Sequence, residues 1–293
     1  MEILLIGKVG QVGWELLRTL APLGNVTAVD YPGINLADEA STRWLVKETQ
    51  PQVIVNAAAY TNVDKAESEP ELAYAINGTA PGILADEARA SGAALIHYST
   101  DYVFNGELGS AYRESDPTNP INSYGKSKLA GEQAIQDAGG SYLILRTSWV
   151  YSNRQGGFVN KVLQWARQQR VLRVVTDQVS SPTWCRALAE ATAQVLAMAS
   201  PDPSAWIEER KGLYHLAGAG SASRWEWAKA ILDFDPARQE EIMEELQPAL
   251  TAEFPTPAVR PLYTPLNSEL FCNTFGLRLP AWESSLRLAM DVK

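Results

Sequence analysis

Apolar runs and amphipathic segments alternate along the first part of the chain. The runs MEILLI, NVTAVD, VIVNAAAY, ALIHYSTDYVF and YLILRTSWVY have the length and composition of buried strands. The intervening segments, such as WELLRTLAPLG, WLVKETQ, AYAINGTAPGILADEARASG and KSKLAGEQAIQDAGG, predict helices. Strands that alternate with helices indicate a mostly parallel sheet with helices on both faces. We therefore expect an α/β fold with a doubly wound parallel sheet.

This alternation loosens after about residue 175. The segment SPDPSAWIEERKG, residues 200–212, is typical of a surface connection, and PARQEEIMEELQ predicts a polar, acidic helix. Five prolines between Pro248 and Pro265 are incompatible with regular structure throughout that segment. We therefore predict a larger domain over residues 1–175 and a smaller, interleaved C-terminal lobe over 176–293, with an approximate boundary.

The composition excludes several classes of function. The chain has 293 residues, 20% of them charged, and a net charge of -9, with no basic run of the kind that nucleic-acid binding needs. Cys185 and Cys272 lack CxxC spacing, which argues against a disulfide framework or a zinc site. His97 and His215 are the two histidines, so a histidine-rich metal centre is not expected and both are interpreted as packed residues.

The sequence also lacks the patterns that direct a protein to a membrane. No run of about 18 apolar residues is present, so no membrane span is expected. The first residues, MEILLIG, form a strand-like run without a basic region or a small-residue cleavage site. We therefore expect no signal peptide and a cytoplasmic location.

The segment GKVGQVG joins the first predicted strand to the first predicted helix. Gly7, Gly10 and Gly13 allow a tight turn whose backbone approaches a pyrophosphate at the positive end of the helix. Asp30 ends the second strand, where a carboxylate accepts hydrogen bonds from a ribose 2′-hydroxyl and repels a 2′-phosphate. The pattern predicts a Rossmann-type dinucleotide site that favours NADH. NADPH is the alternative cofactor, because Arg43 would offset the repulsion between Asp30 and a 2′-phosphate if its side chain folds over the site.

The stretch NPINSYGKSK places Tyr124 and Lys128 on one face of a helix. Taken alone, this spacing is also typical of an exposed helix with no function. Beside a dinucleotide, a cation next to the phenol lowers its pKa from the usual value of about 10. The phenol can then protonate a carbonyl oxygen as hydride reaches the carbon. Ser99 and Thr100 supply a hydroxyl at the end of a neighbouring strand, where ligands of parallel sheets bind.

The glycine turn, the Ser/Thr hydroxyl and the YxxxK spacing together resemble the extended short-chain dehydrogenase/reductase superfamily. Nearly the whole chain resembles one of its families, the dTDP-4-dehydrorhamnose reductases. The blocks that carry this resemblance are VIVNAAAYTNVDKAESEPELAYAINGTAPGILA, HYSTDYVFNG, SYGKSKLAGE, LRTSWVYSNRQGGF, VVTDQVSSPTWCRALA, GLYHLAGAG and a late VRP. The resemblance implies NADPH- or NADH-dependent reduction of the C4 ketone of dTDP-4-dehydro-L-rhamnose to dTDP-L-rhamnose, an activated sugar for polysaccharides.

The resemblance also implies roles for individual residues. Tyr124 would protonate the C4 oxygen, Lys128 would lower the pKa of Tyr124 and hold the nicotinamide ribose, and Thr100 would bind the sugar oxygen. Asp101 and Trp149 would contact the substrate. Residues 1–175 would bind the dinucleotide, and residues 176–293 would bind the sugar nucleotide. The implied cofactor-binding residues are Gly7, Gly10, Gln11, Val12, Asp30, Asn35, Leu36, Ala59, Tyr60, Thr61, Tyr124 and Lys128.

Some residues keep two interpretations. Trp149 ends an apolar run, so it is as typical of a core position as of a wall of a substrate site. Asp64, Lys65 and Glu67 are also typical of a solvated helix start, an interpretation that we favour for Lys65. Arg260, which follows the proline-rich segment, is a candidate for binding the substrate diphosphate.

The chain departs from the family pattern at several positions. Asn35 stands where the family usually has an aspartate, and Ser180 stands where it usually has a glycine. Some family members pair as homodimers through a magnesium ion that glutamates hold at the interface. Glu15 and Glu190 are the candidates for Mg²⁺, without a clear C-terminal partner.

Two other functions remain open at this stage. One is a different reductase or an epimerase of nucleotide sugars with the same fold. The other is a regulatory subunit that binds a dinucleotide without turnover, although such a subunit has no need of Tyr124, Lys128 and Thr100 together. In each case the expected partner is a small molecule, not a nucleic acid or a membrane.

Overall fold

The computed structural model describes residues 1–154 and 156–291. The strands are β1 (Glu2–Ile6), β2 (Asn25–Val29), β3 (Val53–Asn56), β4 (Ala94–Thr100), β5 (Tyr142–Thr147), β6 (Val150–Tyr151), β7 (Val171–Val175), β8 (Val179–Ser180), β9 (Thr183–Trp184), β10 (Gly212–His215), β11 (Ala222–Ser223) and β12 (Glu245–Ala249). The helices are α1 (Gln11–Thr19), α2 (Glu39–Thr49), α3 (Val63–Ser68), α4 (Pro70–Tyr74), α5 (Ala80–Ser91), α6 (Ser123–Ala138), α7 (Gly157–Ala166), α8 (Cys185–Met198), α9 (Pro203–Glu208), α10 (Arg224–Asp233), α11 (Glu269–Phe275) and α12 (Trp282–Met290).

A six-stranded parallel sheet in the order β10-β5-β4-β3-β1-β2 forms the centre of the molecule. Ile3 and Leu5 of β1 pack into an apolar cluster on one face, whereas Leu4 and Ile6 pack into a cluster on the other. Each fully buried aliphatic side chain contributes about 1.5–3 kcal/mol to stability. Because both faces are covered by helices, the strands are nearly continuous apolar runs. The predicted doubly wound α/β fold is confirmed.

The smaller lobe is built around an aromatic cluster. Tyr151, Trp227 and Leu286 pack together there, between α7, α10 and α12. Three two-stranded sheets complete the lobe, in which β12 pairs with β7, β11 with β8, and β9 with β6. β10 returns to the central sheet, beside β5. The division of the chain near residue 175 stays a prediction.

The predicted acidic helix over residues 236–247 is wrong. The segment contains a short 3₁₀ turn, Arg238–Glu240, and then enters β12, which lies parallel to β7. Pairing with β7 overrides the helical propensity of the glutamates, since propensity is a weak prior against tertiary contacts. Pro248 fits in β12, because β12 has a hydrogen-bonded neighbour on one side only.

The predicted surface connection over residues 200–212 contains a helix, α9. Asp202 caps it by accepting a hydrogen bond from the Ala205 N–H at 3.0 Å, and Pro203 follows at the first helical position. Ile207 on this helix is fully buried. None of the helices within the described part of the chain combines the length and the apolar character that crossing a membrane requires.

Candidate active site

The glycine turn lies between β1 and α1. Gly7 has a φ of +94°, and a Cβ at Gly13 would lie 1.9 Å from the Gly7 carbonyl oxygen, so this packing excludes side chains. The Asp30 carboxylate closes the turn by accepting hydrogen bonds from the Val9 N–H at 3.0 Å and the Tyr31 N–H at 2.9 Å. A carboxylate has about four acceptor positions, so Asp30 can still accept from a ligand.

A cleft of about 600 Å³ opens at the carboxyl edge of the central sheet, above this turn. It brings most of the predicted site residues together. Those that line it are Gly7, Gly10, Gln11, Val12, Asp30, Ala59, Thr61, Thr100, Asp101, Tyr124, Lys128 and Trp149.

Three predicted cofactor residues do not line this cleft. Asn35 is exposed, and its side-chain oxygen accepts a hydrogen bond from the Ala37 N–H at 3.1 Å. Leu36 packs in the core. The Tyr60 hydroxyl donates to Glu69 at 2.6 Å, and this bond raises the pKa of Tyr60 to about 12. The cofactor contacts of these residues stay predictions.

Helix α6 carries Tyr124 and Lys128. Its first residues are fixed by hydrogen bonds and by close packing against other segments. The Asn122 side chain caps the helix by accepting from the Gly125 N–H at 2.8 Å. Glu67 accepts from the Ser123 N–H at 2.7 Å and the Ser123 hydroxyl at 3.1 Å. A Cβ at Gly125 would lie 2.2 Å from the Tyr102 carbonyl oxygen, so glycine allows the helix to approach the loop after β4. Glu67 therefore positions the helix, and it is not merely solvated.

An ion pair also connects the segment before α6 to the smaller lobe. Both terminal nitrogens of Arg260 bind the Asp64 carboxylate, at 3.0 and 2.8 Å. Arg260 also donates to Thr256 and to the Ala258 carbonyl. This arginine is thus occupied by contacts within the protein. Lys65 pairs with Glu69 at the surface, in line with a solvated helix start.

Tyr124 and Thr100 face each other in the cleft. Burial raises the pKa of Tyr124 above its usual range, and the neighbouring Thr100 hydroxyl opposes this in part. The Thr100 hydroxyl also donates to Asp101 at 3.2 Å and accepts from the Tyr102 N–H at 3.2 Å. The phenol is therefore protonated at neutral pH, which is the state that a proton donor needs. The predicted lowering of its pKa by Lys128 stays a prediction.

Asp101 lies beneath Thr100 and is 2% exposed. Its second oxygen accepts hydrogen bonds from the hydroxyls of Ser148 at 3.1 Å, Ser180 at 3.0 Å and Thr264 at 2.6 Å. Burial raises the pKa of Asp101, whereas these hydroxyls stabilise the carboxylate and lower it. The carboxylate thereby fixes the Thr100 hydroxyl and joins β4 to the smaller lobe.

Lys128 is almost fully buried, at 2% exposed, on the inner side of the cleft. Its amino group donates to the Tyr98 carbonyl at 2.7 Å and contacts His97 Nε2 at 3.1 Å. Desolvation lowers the pKa of Lys128 to about 8, against the opposing effect of Glu132. His97 is buried and packed, as expected.

The cleft also contains polar atoms that lack partners. Within the described residues, Gln11 Oε1 and Thr147 Oγ1 are buried without a hydrogen bond. Both side chains line the cleft, Gln11 at the start of α1 and Thr147 at the end of β5. Unpaired buried polar atoms are costly, so they indicate a place for a polar ligand. With the glycine turn and Asp30, this donor and acceptor set fits a dinucleotide.

Trp149 and Val150 also line a smaller, aromatic cavity of about 330 Å³, which in turn shares Phe158, Trp165 and Arg224 with a cavity of about 460 Å³. Trp149 has a φ of +40°, a strained value for a bulky residue, and it breaks the run that the sequence predicts as one strand into β5 and β6. Its ring stacks on Trp227, with centroids 5.5 Å apart. The residues that line the two cavities include Trp149, Phe158, Lys161, Trp165, Arg173, Arg224, Trp227 and Phe254.

Arg224 is a residue that the sequence interpretation missed. Its guanidinium carbon lies 3.6 Å from the centroid of the Trp149 ring and 4.9 Å from that of Phe158. Desolvation lowers its pKa to about 10, and no carboxylate of the described chain lies within ion-pair distance of it. A signal was present, because the Ser223–Glu226 capping box places Arg224 at the start of a tryptophan-rich helix.

The candidate magnesium ligands do not form a cluster. Among residues 1–154 and 156–291, no group of three His, Cys, Asp or Glu side chains could hold a metal ion. Glu190 pairs with Arg186 at 2.8 Å on α8, and Glu15 lies on α1. Cys185 and Cys272 are free thiols, as expected.

Comparisons with known proteins agree with this arrangement. A family model described as "RmlD substrate binding domain" matches residues 1–293. The dTDP-4-dehydrorhamnose reductase of Salmonella typhimurium is 45% identical over 98% of this chain and 96% of the relative. The reductase of Burkholderia thailandensis is 40% identical over 99% of this chain and 98% of the relative.

Two similar solved structures are also of dTDP-4-dehydrorhamnose reductases. A dTDP-4-dehydrorhamnose reductase of Clostridium acetobutylicum has a TM-score of 0.90 and 32% identity, with 99% of both chains covered. The reductase of Bacillus anthracis in complex with NADP has a TM-score of 0.87 and 32% identity, with 98% of this chain and 97% of that chain covered.

Proposed function

Because the chain belongs to the RmlD substrate binding domain family, we propose that it is an oxidoreductase that reduces the C4 ketone of dTDP-4-dehydro-L-rhamnose to dTDP-L-rhamnose. The observation that carries this proposal is the convergence of Tyr124, Thr100 and Lys128 in one cleft with a dinucleotide turn. A bound reduced nicotinamide supplies the hydride for this reaction. The protein's part is to hold the ketone, polarise its oxygen and deliver a proton.

Tyr124 is the proton donor in this proposal. Its phenol keeps its proton at neutral pH, because burial raises its pKa. The Thr100 hydroxyl beside it donates its proton to Asp101 in this structure, and it turns from Asp101 to the ketone oxygen when the substrate binds. Two such groups directed at a ketone oxygen stabilise the negative charge that develops there during reduction. Lys128 binds the ribose of the cofactor, and in its protonated form it supplies positive charge behind the phenol.

The aromatic cavities next to Trp149 are the proposed site of the nucleotide half of the substrate. Trp149 lines both the cofactor cleft and the adjoining cavity, so a ligand that extends past it reaches both. Aromatic rings stack on a pyrimidine base, as they do on bases generally. Arg224 has a half-buried guanidinium that forms no ion pair among the described residues, which suits a diphosphate.

The direct test is turnover of dTDP-4-dehydrorhamnose, measured by loss of reduced-nicotinamide absorbance. We expect oxidation of the nicotinamide in step with formation of dTDP-L-rhamnose. A panel of UDP- and GDP-linked ketosugars serves as the control, and we expect much slower turnover with it. Turnover of another ketosugar alone would identify a different reductase, and binding of dinucleotide without any turnover would support the regulatory-subunit alternative.

We expect Arg224→Met to weaken substrate binding by about 10- to 100-fold. The loss of one charge-assisted contact to a diphosphate costs about 1.5–3 kcal/mol. Methionine keeps much of the packing on Trp149, so the KM for the sugar nucleotide should rise while NADH binding is unchanged. Arg170→Met at an exposed site is the control, and no change is expected there. An unchanged KM in Arg224→Met would exclude Arg224 from the diphosphate site.

We propose that the enzyme binds NADH more tightly than NADPH. Asp30 would repel a 2′-phosphate, and Arg43 does not offset it, because it binds Glu39 and Glu87 at 2.8 Å each. We expect a difference in Kd of about tenfold, equal to about 1.4 kcal/mol. Quenching of tryptophan fluorescence by each dinucleotide measures both constants.

The variant Asp30→Asn tests the cause of this preference. Asparagine keeps an acceptor for the backbone N–H groups of the turn and removes the charge, so NADPH binding should improve relative to NADH. Equal Kd values in the wild type, or a preference that Asp30→Asn leaves unchanged, would contradict the proposal.

A homodimer, which the resemblance implies, stays part of the proposal, and sedimentation with and without a chelator is its test. Magnesium is not included, because Glu190 is engaged by Arg186 and the described residues form no acidic cluster.

A further inference from the structure

Lys128 has a neighbour behind it that the reaction above does not use. His97 on β4 is fully buried, with Nε2 at 3.1 Å from the Lys128 amino group. On the other side of the ring, Nδ1 lies 3.1 Å from the side-chain nitrogen of Asn56. Asn56 is also fully buried, at the end of β3. The three side chains thus form a continuous buried row from the edge of the cleft to the loop beside the glycine turn.

The hydrogen bonds of Asn56 determine which nitrogen of His97 carries the proton. The Ala58 N–H is a donor under all conditions, and it lies 3.2 Å from Asn56 Oδ1. The amide oxygen is therefore directed at Ala58, and the amide NH₂ is directed at His97. An NH₂ group only donates, so His97 Nδ1 must accept. In a neutral imidazole the proton is then on Nε2, facing Lys128.

This tautomer restricts the state of Lys128. An ammonium only donates hydrogen bonds, and it cannot be paired with an Nε2–H group. A neutral amine accepts from Nε2–H through its lone pair and still donates to the Tyr98 carbonyl at 2.7 Å. All contacts of the row are satisfied together when Lys128 is neutral. When Lys128 is protonated, His97 must move its proton to Nδ1 and give up the bond from Asn56.

We propose that His97, held by Asn56 as its Nε2–H tautomer while Lys128 is neutral, is a positioning residue that lowers the proton affinity of the Lys128 amino group in the free enzyme and changes tautomer when Lys128 takes up a proton. His97 touches neither the proposed substrate nor the cofactor, and it acts through Lys128. The effect on turnover rests on the proposed function, whereas the tautomer and its dependence on Asn56 do not.

The other groups around Lys128 are consistent with this coupling. His97 and Tyr98 face it from β4, and Tyr124 and Glu132 lie on its own helix. Burial lowers the pKa of Lys128 to about 8, and Glu132 raises it in part. Arg146 of β5 neutralises Glu132, since it binds both oxygens of this carboxylate at 2.9 and 2.6 Å. Lys128 therefore has a pKa low enough for one hydrogen bond to change its state near physiological pH.

The first experiment observes the tautomer directly in the wild-type protein without ligand. Long-range ¹⁵N–¹H NMR spectra distinguish the two neutral tautomers of histidine, and this chain has two histidines to assign. His215 is an internal reference, because its Nδ1 contacts the Tyr112 carbonyl at 3.0 Å and must carry the proton. We expect His97 as the Nε2–H form above about pH 8, with a change towards Nδ1–H as the pH falls. An Nδ1–H signal for His97 at every pH would overturn the proposal.

Two variants test the coupling to Lys128 by different routes. Asn56→Asp keeps the acceptor for Ala58 and presents a second acceptor to His97, which should hold Nδ1–H and favour the ammonium. His97→Gln adds no charge and offers an amide oxygen to the ammonium. Both should raise the pKa of Lys128, so the alkaline limb of kcat/KM for the cofactor, which reports the free enzyme, should move to higher pH. A shift of about one pH unit is a tenfold change in the protonation equilibrium.

The outcomes separate this role from a merely structural one. A lower kcat/KM with an unchanged pH profile in both folded variants would mean that His97 only packs, and the proposal would fail. A shift in Asn56→Asp alone would be the direct effect of its new charge, and it would also count against the proposal. If the wild-type protein does not turn over the substrate, the proposed reaction is wrong. The NMR spectra would still test the tautomer of His97, because they do not depend on turnover.

Discussion

We expect the variant Tyr124→Phe to lose turnover by a factor of about 10²–10⁴, because removal of a positioned general acid typically costs that much. The phenol is protonated in the resting structure, since burial raises its pKa, so the group removed is the one that donates. Phenylalanine keeps the ring and its edge-on contact with Tyr102, whose centroid lies 5.7 Å away. The loss should therefore appear in kcat, while the Kd for NADH changes little.

Tyr214→Phe is the matched control for this variant. Its hydroxyl donates to the Arg210 carbonyl at 2.6 Å, and Tyr214 is not among the residues that line the cleft, so kcat should be unchanged. Steady-state rates and dinucleotide binding would be measured for both variants. A kcat for Tyr124→Phe close to the wild-type value would assign the proton donor to another group. Loss of dinucleotide binding together with turnover would indicate a structural role for the hydroxyl.

The second large effect is on stability. Glu132 and Arg146 form a bidentate ion pair that is 2% and 4% exposed, at the point where α6 packs on β5. Ser99 also donates to Glu132 at 2.5 Å. We expect Glu132→Gln to lower the free energy of unfolding by about 3–5 kcal/mol, since it leaves a buried guanidinium without its counter-charge. Arg146 Nη1 already has no partner within the described residues, so no other group is in place to compensate the charge of Arg146 when Glu132 is replaced.

Urea denaturation of Glu132→Gln and of a surface control measures this difference. Glu244 pairs with Arg170 where both side chains are exposed, so Glu244→Gln should cost less than about 1 kcal/mol. Replacing both Glu132 and Arg146 by methionine should recover much of the loss, because an apolar pair leaves no buried charge. Equal midpoints for Glu132→Gln and Glu244→Gln would show that the buried pair is not important for stability.

Helix α6 shows which features of the site could be predicted from the sequence and which could not. The YxxxK spacing put Tyr124 and Lys128 on one helix, and α6 carries both. The contact of Glu67 with the start of this helix was not predicted, because Glu67 lies in a different helix. The hydrogen bonds between Glu67 and Ser123 exist only because the chain after β3 folds back over the start of α6.

The residues of the proposed substrate site were less predictable, because their contacts also join distant segments of the chain. Arg260 was the candidate for the diphosphate, whereas the structure engages it with Asp64 and leaves Arg224 among aromatic rings. The capping box marks the helix start at Arg224, but it does not show which arginine lacks an acidic partner, since that depends on the folded chain. The acidic helix over residues 236–247 was wrong because β7 offers that segment a strand to pair with.

The sequence by itself determined the alternation of strands and helices, the dinucleotide turn, and the residue types needed for hydride reduction with a tyrosine acid. These features are local, since periodicity, glycine spacing and strand ends are encoded within a few residues. Only the tertiary structure decided that Asp101 anchors Thr100, that Arg224 lies beside Trp149, and that His97 connects Asn56 to Lys128. Each of these depends on contacts between distant segments, and burial and hydrogen-bond partners there exist only once the chain has folded.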